Sequence, residues 1–255
     1  MTIQISSYGG GTNSTAMLIE CAKRGIKVDL ILFADTGGEK PHTYEYVKRF
    51  SQWLVDNGMP EIITVKKVRR NGDILTLEQN CLEQKMLPSI AYGFKSCSQK
   101  YKIQPQDKYV NNWQPAKEEW AAGRKIRKLI GYDADESHRI NTYYTDDKYD
   151  CWYPLVDWGM GREECIDSIK EAGLCLPGKS ACFFCPSSKP SEIRQLAHTH
   201  PGLIERALAM ESNAELTSVK GLGRNFAWID LLSQSEMLDD DYRHTPDLLC
   251  DCYDG

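Results

Sequence analysis

Two sets of residues in this 255-residue chain have the types and spacing to do chemistry. The first is the run Ser7-Tyr8-Gly9-Gly10-Gly11-Thr12-Asn13-Ser14-Thr15. Glycines let the backbone approach a ligand closely, and the free N–H groups of a helix start attract an anion. Asn13, Ser14 and Thr15 add side-chain donors. The run lacks the Lys of G-x-x-x-x-G-K-S/T and the third Gly of G-x-G-x-x-G, so it is neither of those phosphate loops. The competing reading is a capped, chemically silent glycine turn. Its place between an expected strand and an expected helix favours phosphate binding.

The second set is the cysteines, ten in all. MTIQISSYGGG carries no basic and apolar leader, and no stretch is apolar for long enough to span a bilayer. A cytoplasmic, reducing compartment is expected, where excess Cys signals metal or redox chemistry more often than disulfides. Cys182 and Cys185 form a C-x-x-C followed by Pro186, and Cys175 upstream extends it to C-x6-C-x2-C. Two thiolates at this spacing can share one metal centre, and a zinc or cluster site needs about four such ligands. A redox-active Cys182/Cys185 pair and plain buried thiols are the other readings. Cys21, Cys81 and Cys151 read as packing residues, and Cys165, inside an expected helix, as core. His198-Thr199-His200-Pro201 has no third ligand near in sequence and reads as a helix end.

These residues need a scaffold. Hydrophobic residues make up 41% and charged residues 26% of the chain, enough for a buried core, which excludes a disordered chain or a disulfide miniprotein. Strands are expected at Ile3 to Tyr8, Val28 to Ala34 and Ile62 to Val68, with helices at Ser14 to Arg24, ended by Gly25, and at Pro41 to Asn57. Helices are also expected at Leu77 to Leu87, Lys117 to Lys128, Gly161 to Gly173 and Ser191 to Ser212, the last interrupted at Pro201. A short strand is expected at Lys128 to Tyr132, and an acidic loop at Leu238 to Gly255. This order predicts an α/β fold: a doubly wound, mostly parallel sheet with helices on both faces and a C-terminal helical, Cys-bearing extension. The expected division is residues 1–150 for nucleotide binding and 151–255 for the extension. Ligands of such sheets bind at the carboxyl ends of the strands. The net charge of −5 argues against nucleic-acid binding through global charge. The runs Lys66-Lys67-Val68-Arg69-Arg70 and Arg124-Lys125-Ile126-Arg127-Lys128 are solvated faces or local contacts to a nucleic-acid backbone.

The glycine run resembles the S-G-G-x-D-S-S/T pyrophosphate loop (PP-loop) of the adenine nucleotide alpha-hydrolase superfamily, with Gly9 in place of Ser and Asn13 in place of Asp. Later segments resemble its phosphoadenosine phosphosulfate (PAPS) reductase branch. They are Phe33-Ala34-Asp35-Thr36-Gly37 followed by Thr43-Tyr44, Cys97-Ser98 with Lys102 and Pro105, and Gly131-Tyr132-Asp133-Ala134-Asp135-Glu136-Ser137 with Arg139. Tyr153-Pro154-Leu155 with Trp158, and Cys182-Phe183-Phe184-Cys185-Pro186, complete the set. Asp133 stands where that branch has Arg, which removes a positive charge. The six matches come in the expected order over about residues 5 to 190.

The resemblance implies that Tyr8, Gly9, Gly10, Gly11, Thr12, Asn13, Ser14, Thr15, Phe33, Asp35, Thr36 and Gly131 bind the nucleotide. It implies that Glu136, Ser137 and Arg139 line the substrate side, where Arg139 can grip phosphate or sulfate bidentately. It places Cys97 beside the C-x-x-C, giving Cys97, Cys175, Cys182 and Cys185 as ligands of one 4Fe-4S cluster, with zinc as the rival metal. Among members it is closer to the cluster-bearing DNA phosphorothioation sulfurtransferases than to cluster-free reductases. The implied reaction uses ATP with Mg²⁺: pyrophosphate leaves as a substrate is adenylated, and sulfur then displaces AMP. The alternatives are a reductase of PAPS or adenosine phosphosulfate, with Cys252 or Cys250 as nucleophile, and a non-catalytic nucleotide-binding assembly subunit. Implied partners are an adenine nucleotide, with DNA and other sulfur-transfer subunits as candidates and a homodimer as the candidate assembly; no membrane is implied.

Overall fold

The computed structural model describes residues 2–93, 96–140 and 146–235. Its centre is a sheet of five parallel strands in the order β3-β2-β1-β4-β5. These are β1 (Gln4–Tyr8), β2 (Leu30–Asp35), β3 (Ile62–Lys66), β4 (Ile126–Leu129) and β5 (Tyr149–Trp152). The central strand β2 reads LILFAD and is buried at every position, as a strand covered on both faces must be. Alternation sends Ile31 and Phe33 to one core, and Leu30, Leu32 and Ala34 to the other.

On the first face α1 (Thr12–Lys23), α2 (Pro41–Asp56) and α8 (Arg162–Glu171) enclose Met17, Phe50, Leu54 and Ile169. On the second, α5 (Gln104–Asn112) and α6 (Gln114–Ala121) cover Ile5, Leu32 and Ile126 with Val110 and Ala116. The α/β, doubly wound class is therefore what the chain adopts. A third core joins α3 (Leu77–Glu83), α9 (Pro190–Thr199), α10 (Pro201–Asn213) and α11 (Trp228–Ser235) around Phe183, Phe184, Met210 and Trp228. Two short helical turns, α4 (Ser96–Ser98) and α7 (Pro154–Asp157), complete the helices named here. Cys97 and Cys182 pack against this third core.

Three local expectations are corrected. The helix expected over Lys117 to Lys128 ends at Ala121, and Ile126–Leu129 is a strand. Pairing with β1 decides this: the Arg127 amide donates to the Ile3 carbonyl (2.8 Å), and Ile126 and Leu129 are completely buried. Tertiary pairing outweighs local helix preference here. The helix expected to reach Leu87 stops at Glu83. The sheet also continues across residue 150, because β5 pairs with β4 from Tyr149 to Trp152, and α8 beyond it packs on α1. The break at Pro201 between α9 and α10 is observed. The acidic stretch Leu238 to Gly255, with Cys250 and Cys252, lies outside the described residues.

Candidate functional site

The strand order reverses between β1 and β4, so the loops leaving their carboxyl ends flank a crevice. One wall is the glycine run. Gly10 has φ +73°, a conformation that favours glycine, and a side chain there would press on Ser180 Oγ and Thr43 Cγ2, both 3.3 Å away. The helix α1 then begins with no side-chain cap, leaving the amides of its first turn for an anion. The hydroxyls of this turn are used within the loop. Ser14 Oγ accepts from the Gly9 amide (3.2 Å) and donates to the Gly11 carbonyl (3.1 Å). Thr15 Oγ1 donates to the same carbonyl (2.9 Å) and meets the hydroxyl of Tyr8 (3.1 Å). Tyr8 is buried beneath the loop, and burial pushes its phenol far above the ordinary value. Tyr8, Ser14 and Thr15 thus shape the loop.

The opposite wall follows β4. A Cβ on Gly131 would come within 2.9 Å of Ser14 Cα, so only glycine lets this segment lie against the start of α1. Asp133, 3% exposed, accepts from Asn13 Nδ2 at 2.8 Å, and Glu136 accepts from the same amide at 3.0 Å. Asp133 also caps the turn Ala134–Arg139 through the Glu136 amide (3.0 Å). Two of the three departures from the pattern that the sequence resembles, Asn13 and Asp133, are therefore one contact. Arg139 pairs with Glu136 and lies over the Tyr132 ring, 4.2 Å from its centroid. Arg162, at the start of α8, places Nη1 2.9 Å from Asn13 Oδ1. Sequence reasoning missed Arg162, which is 149 residues from Asn13 along the chain; its signal is a basic residue opening the helix after the Pro154 to Trp158 segment.

The end of β2 joins the side of the glycine run to the cysteines. Asp35 is buried and held by the Gly37 amide (2.7 Å), the Tyr44 hydroxyl (2.8 Å) and Lys66 (3.1 Å). It fixes the turn after the strand, and its oxygens are committed to these partners. Thr36 Oγ1 lies 3.1 Å from Cys182 Sγ. Backbone pairing of Phe183 with Gly38 (2.8 Å) and an antiparallel bridge between Glu39 and Cys182 lay the C-x-x-C along this turn. The segment before it reaches the loop itself, since Ser180 Oγ donates to the Gly9 carbonyl at 2.7 Å.

Burial pushes the Cys182 thiol up to about 12, helped by the Glu39 carboxylate, and burial raises Cys185 as well. Glu39 has a side chain with 0% exposure and pairs through Oε1 with Lys102 at 3.1 Å. Its Oε2 is buried without a hydrogen-bond partner among the described residues. Burial works against the charge of Lys102, but Glu39 and the nearby thiol of Cys182 hold its ammonium above the ordinary range.

Cys97, Cys182 and Cys185 share this neighbourhood closely enough for their charges to interact, Cys185 with each of the other two. Cys175 does not join them. It is disulfide-bonded, packs against the first-face core, and has Arg49 Nη1 3.6 Å from its sulfur. A disulfide sulfur is no thiolate ligand, so the expected four-thiolate set is not gathered in this structure. Among the described residues, no group of three or more His, Cys, Asp or Glu converges as metal ligands do. The donors suit a thiophilic metal in kind, and their placement does not form a ligand shell. Cys165 is fully buried in α8, with its thiol raised by burial to about 12, as a core residue.

The two basic runs are largely spent on internal partners. Lys66 pairs with Asp35, Arg69 with Glu83, and Lys67 lies over the Tyr101 ring. Arg124 pairs with Glu119, Arg127 with Asp150 and Lys128 with Asp107. Among the described residues, no helix is long and apolar enough to cross a membrane.

The fold defines a class: a doubly wound α/β protein with a glycine-rich loop at the switch point of its sheet. No family model matches the chain, and no curated protein matches it. Among solved structures it is similar to the U34-tRNA thiolase NcsA from Methanococcus maripaludis with its 4Fe-4S cluster, at 14% identity and a TM-score of 0.43, over 92% of this chain and 81% of that one.

Proposed function

We propose that this chain is a PP-loop enzyme that binds ATP at residues 8–15 and couples release of pyrophosphate to sulfur transfer. The observation that carries the reading is the contact of Cys182 with Thr36: a thiol lies against the strand end next to the phosphate loop. The loop amides and the α1 dipole would hold the β- and γ-phosphates, which leave together as pyrophosphate. A substrate oxygen forms a bond to the α-phosphorus as the bond to the β-phosphate oxygen breaks, giving an adenylate. A sulfide sulfur then attacks the activated atom, and AMP departs with the oxygen. Mg²⁺ is the expected counterion of the phosphates. Phe33, near the carboxyl end of β2, is the residue that the resemblance sets beside the base and ribose.

The iron-sulfur assignment rests on Cys97, Cys182 and Cys185, with Cys175 as a fourth ligand only once its disulfide is reduced. No step above depends on it. DNA is the first acceptor to try, on the resemblance to phosphorothioation enzymes alone.

The test is anaerobic purification under reducing conditions, followed by metal analysis and two assays: pyrophosphate from ATP and sulfite from PAPS. Pyrophosphate without sulfite supports the reading. Sulfite release that requires Cys250 or Cys252 would replace it with the reductase. ATP binding with neither product would make the chain a nucleotide-binding assembly subunit.

A further inference from the structure

The glycine run has no basic side chain, and position 133 presents a carboxylate to it. Two guanidinium groups nevertheless reach this crevice. Arg139 is committed to Glu136 and to the face of Tyr132. Arg162 makes no ion pair among the described residues, is exposed, and touches the loop through Asn13 alone. A guanidinium has five N–H donors, and this contact uses one.

We propose that Arg162 is the phosphate-gripping cation of this nucleotide site, delivered from the start of α8 and aimed by Asn13. The proposal deepens the ATP reading above and rests on it. The Asn13 carboxamide is a two-sided adaptor. Its NH₂ group is taken by Asp133 and Glu136, so its oxygen must face the other way, where Arg162 donates to it. The base of Arg162 is fixed as well, because its backbone amide donates to Asp135 Oδ2 (3.0 Å) and Glu164 caps the preceding Gly161 amide (2.9 Å). Asp at position 13 would face Asp133 with like charge and could not donate to it. Asn13, Asp133 and Arg162 therefore form one set: Asp133 orients Asn13, and Asn13 holds Arg162 at the loop. Arg162 restores from another helix the positive charge that Asp133 removes.

The experiment compares binding of Mg-ATP, AMP and adenosine to the full wild-type chain and to Arg162→Ala, Arg162→Lys and Asn13→Asp, with melting temperature as the folding control. A charge-assisted hydrogen bond predicts that Arg162→Ala weakens ATP by about tenfold or more, with adenosine unchanged. Arg162→Lys falls between, because it keeps the charge and loses the fork. Asn13→Asp also weakens ATP more than adenosine. Arg162→Ala with wild-type ATP affinity overturns the proposal while leaving the ATP reading intact. If Arg162→Ala does not fold, wild-type ATP affinity in Arg162→Lys together with Asn13→Asp overturns it equally. A wild-type chain that binds neither ATP nor AMP overturns the ATP reading, and this proposal with it.

Discussion

The glycine loop and the C-x-x-C segment are joined through Ser180, two residues before Cys182, but are built in opposite ways. In the loop, the hydroxyls of Ser14 and Thr15 close on the loop itself: both donate to the Gly11 carbonyl, Tyr8 supports Thr15 from below, and Asn13 alone among these reaches outward to Asp133, Glu136 and Arg162. Beside the cysteines, polarity is held in a less settled state. Cys182 is a half-buried thiol with a raised pKa; among the described residues, Glu39 Oε2 is buried without a partner, and so is Nε2 of His42, which lies against Gly178. A preorganised cradle costs little reorganisation when an anion enters. A half-buried set of thiols and one ion pair can change state when a proton, a metal or a reductant arrives. The comparison assigns binding to the first region and chemical change to the second.

The largest effect should come from breaking the ion pair on the cysteine side. Lys102→Met leaves a fully buried Glu39 carboxylate uncompensated and should cost about 3 kcal/mol in urea unfolding, with most of the loss recovered by adding Glu39→Gln. Recovery marks the pair as exchangeable; no loss at all would mean that this region is not strained by burial.

On the loop side, Gly131→Ala forces the chain against Ser14 and should cost about 1–3 kcal/mol of stability. It should weaken ATP binding severalfold, read by titration. Unchanged affinity would show that the spacing of β4 and α1 does not shape the site.

A third variant probes the α1–α8 support of the loop. Burial raises the Glu20 pKa, but the Ser168 hydroxyl, Lys23 and Arg24 outweigh it and hold the carboxyl below its ordinary value of 4.5. A group with a depressed folded pKa contributes stability that is present above the unfolded value and lost as pH falls through the folded one. Wild type should thus lose an increment below about pH 4.5 that Glu20→Gln lacks, seen in paired melting curves. Parallel curves would sink this. The smallest effect is expected for Tyr8→Phe, about 1 kcal/mol, since it removes one buried hydrogen bond and little volume.

How much of this was readable in the sequence follows the same division. The β1-loop-α1 unit was legible because its signals are local: an apolar strand, three glycines, then helical spacing. The parallel class was legible from LILFAD and its neighbours. What escaped depends on long-range pairing. Ile126 and Arg127 looked helical, with a strand only from Lys128, until β1 supplied partners from Arg127 onward, and Arg127 and Lys128 looked like a basic face until Asp150 and Asp107 were placed opposite. Asn13 and Asp133 read as two separate departures from a pattern, although they hydrogen-bond across 120 residues. Spacing grouped Cys175 with Cys182, while the fold sends Cys175 to a different core.

The central claim is that nucleotide and thiols share one crevice. Its most direct measurement is the alkylation rate of individual cysteines, read by peptide mass spectrometry with and without saturating Mg-ATP. Bound ATP should slow modification of Cys182, which lies against Thr36, and leave Cys151 on β5 unchanged. ATP that binds the protein without altering the rate at Cys182 would contradict the account.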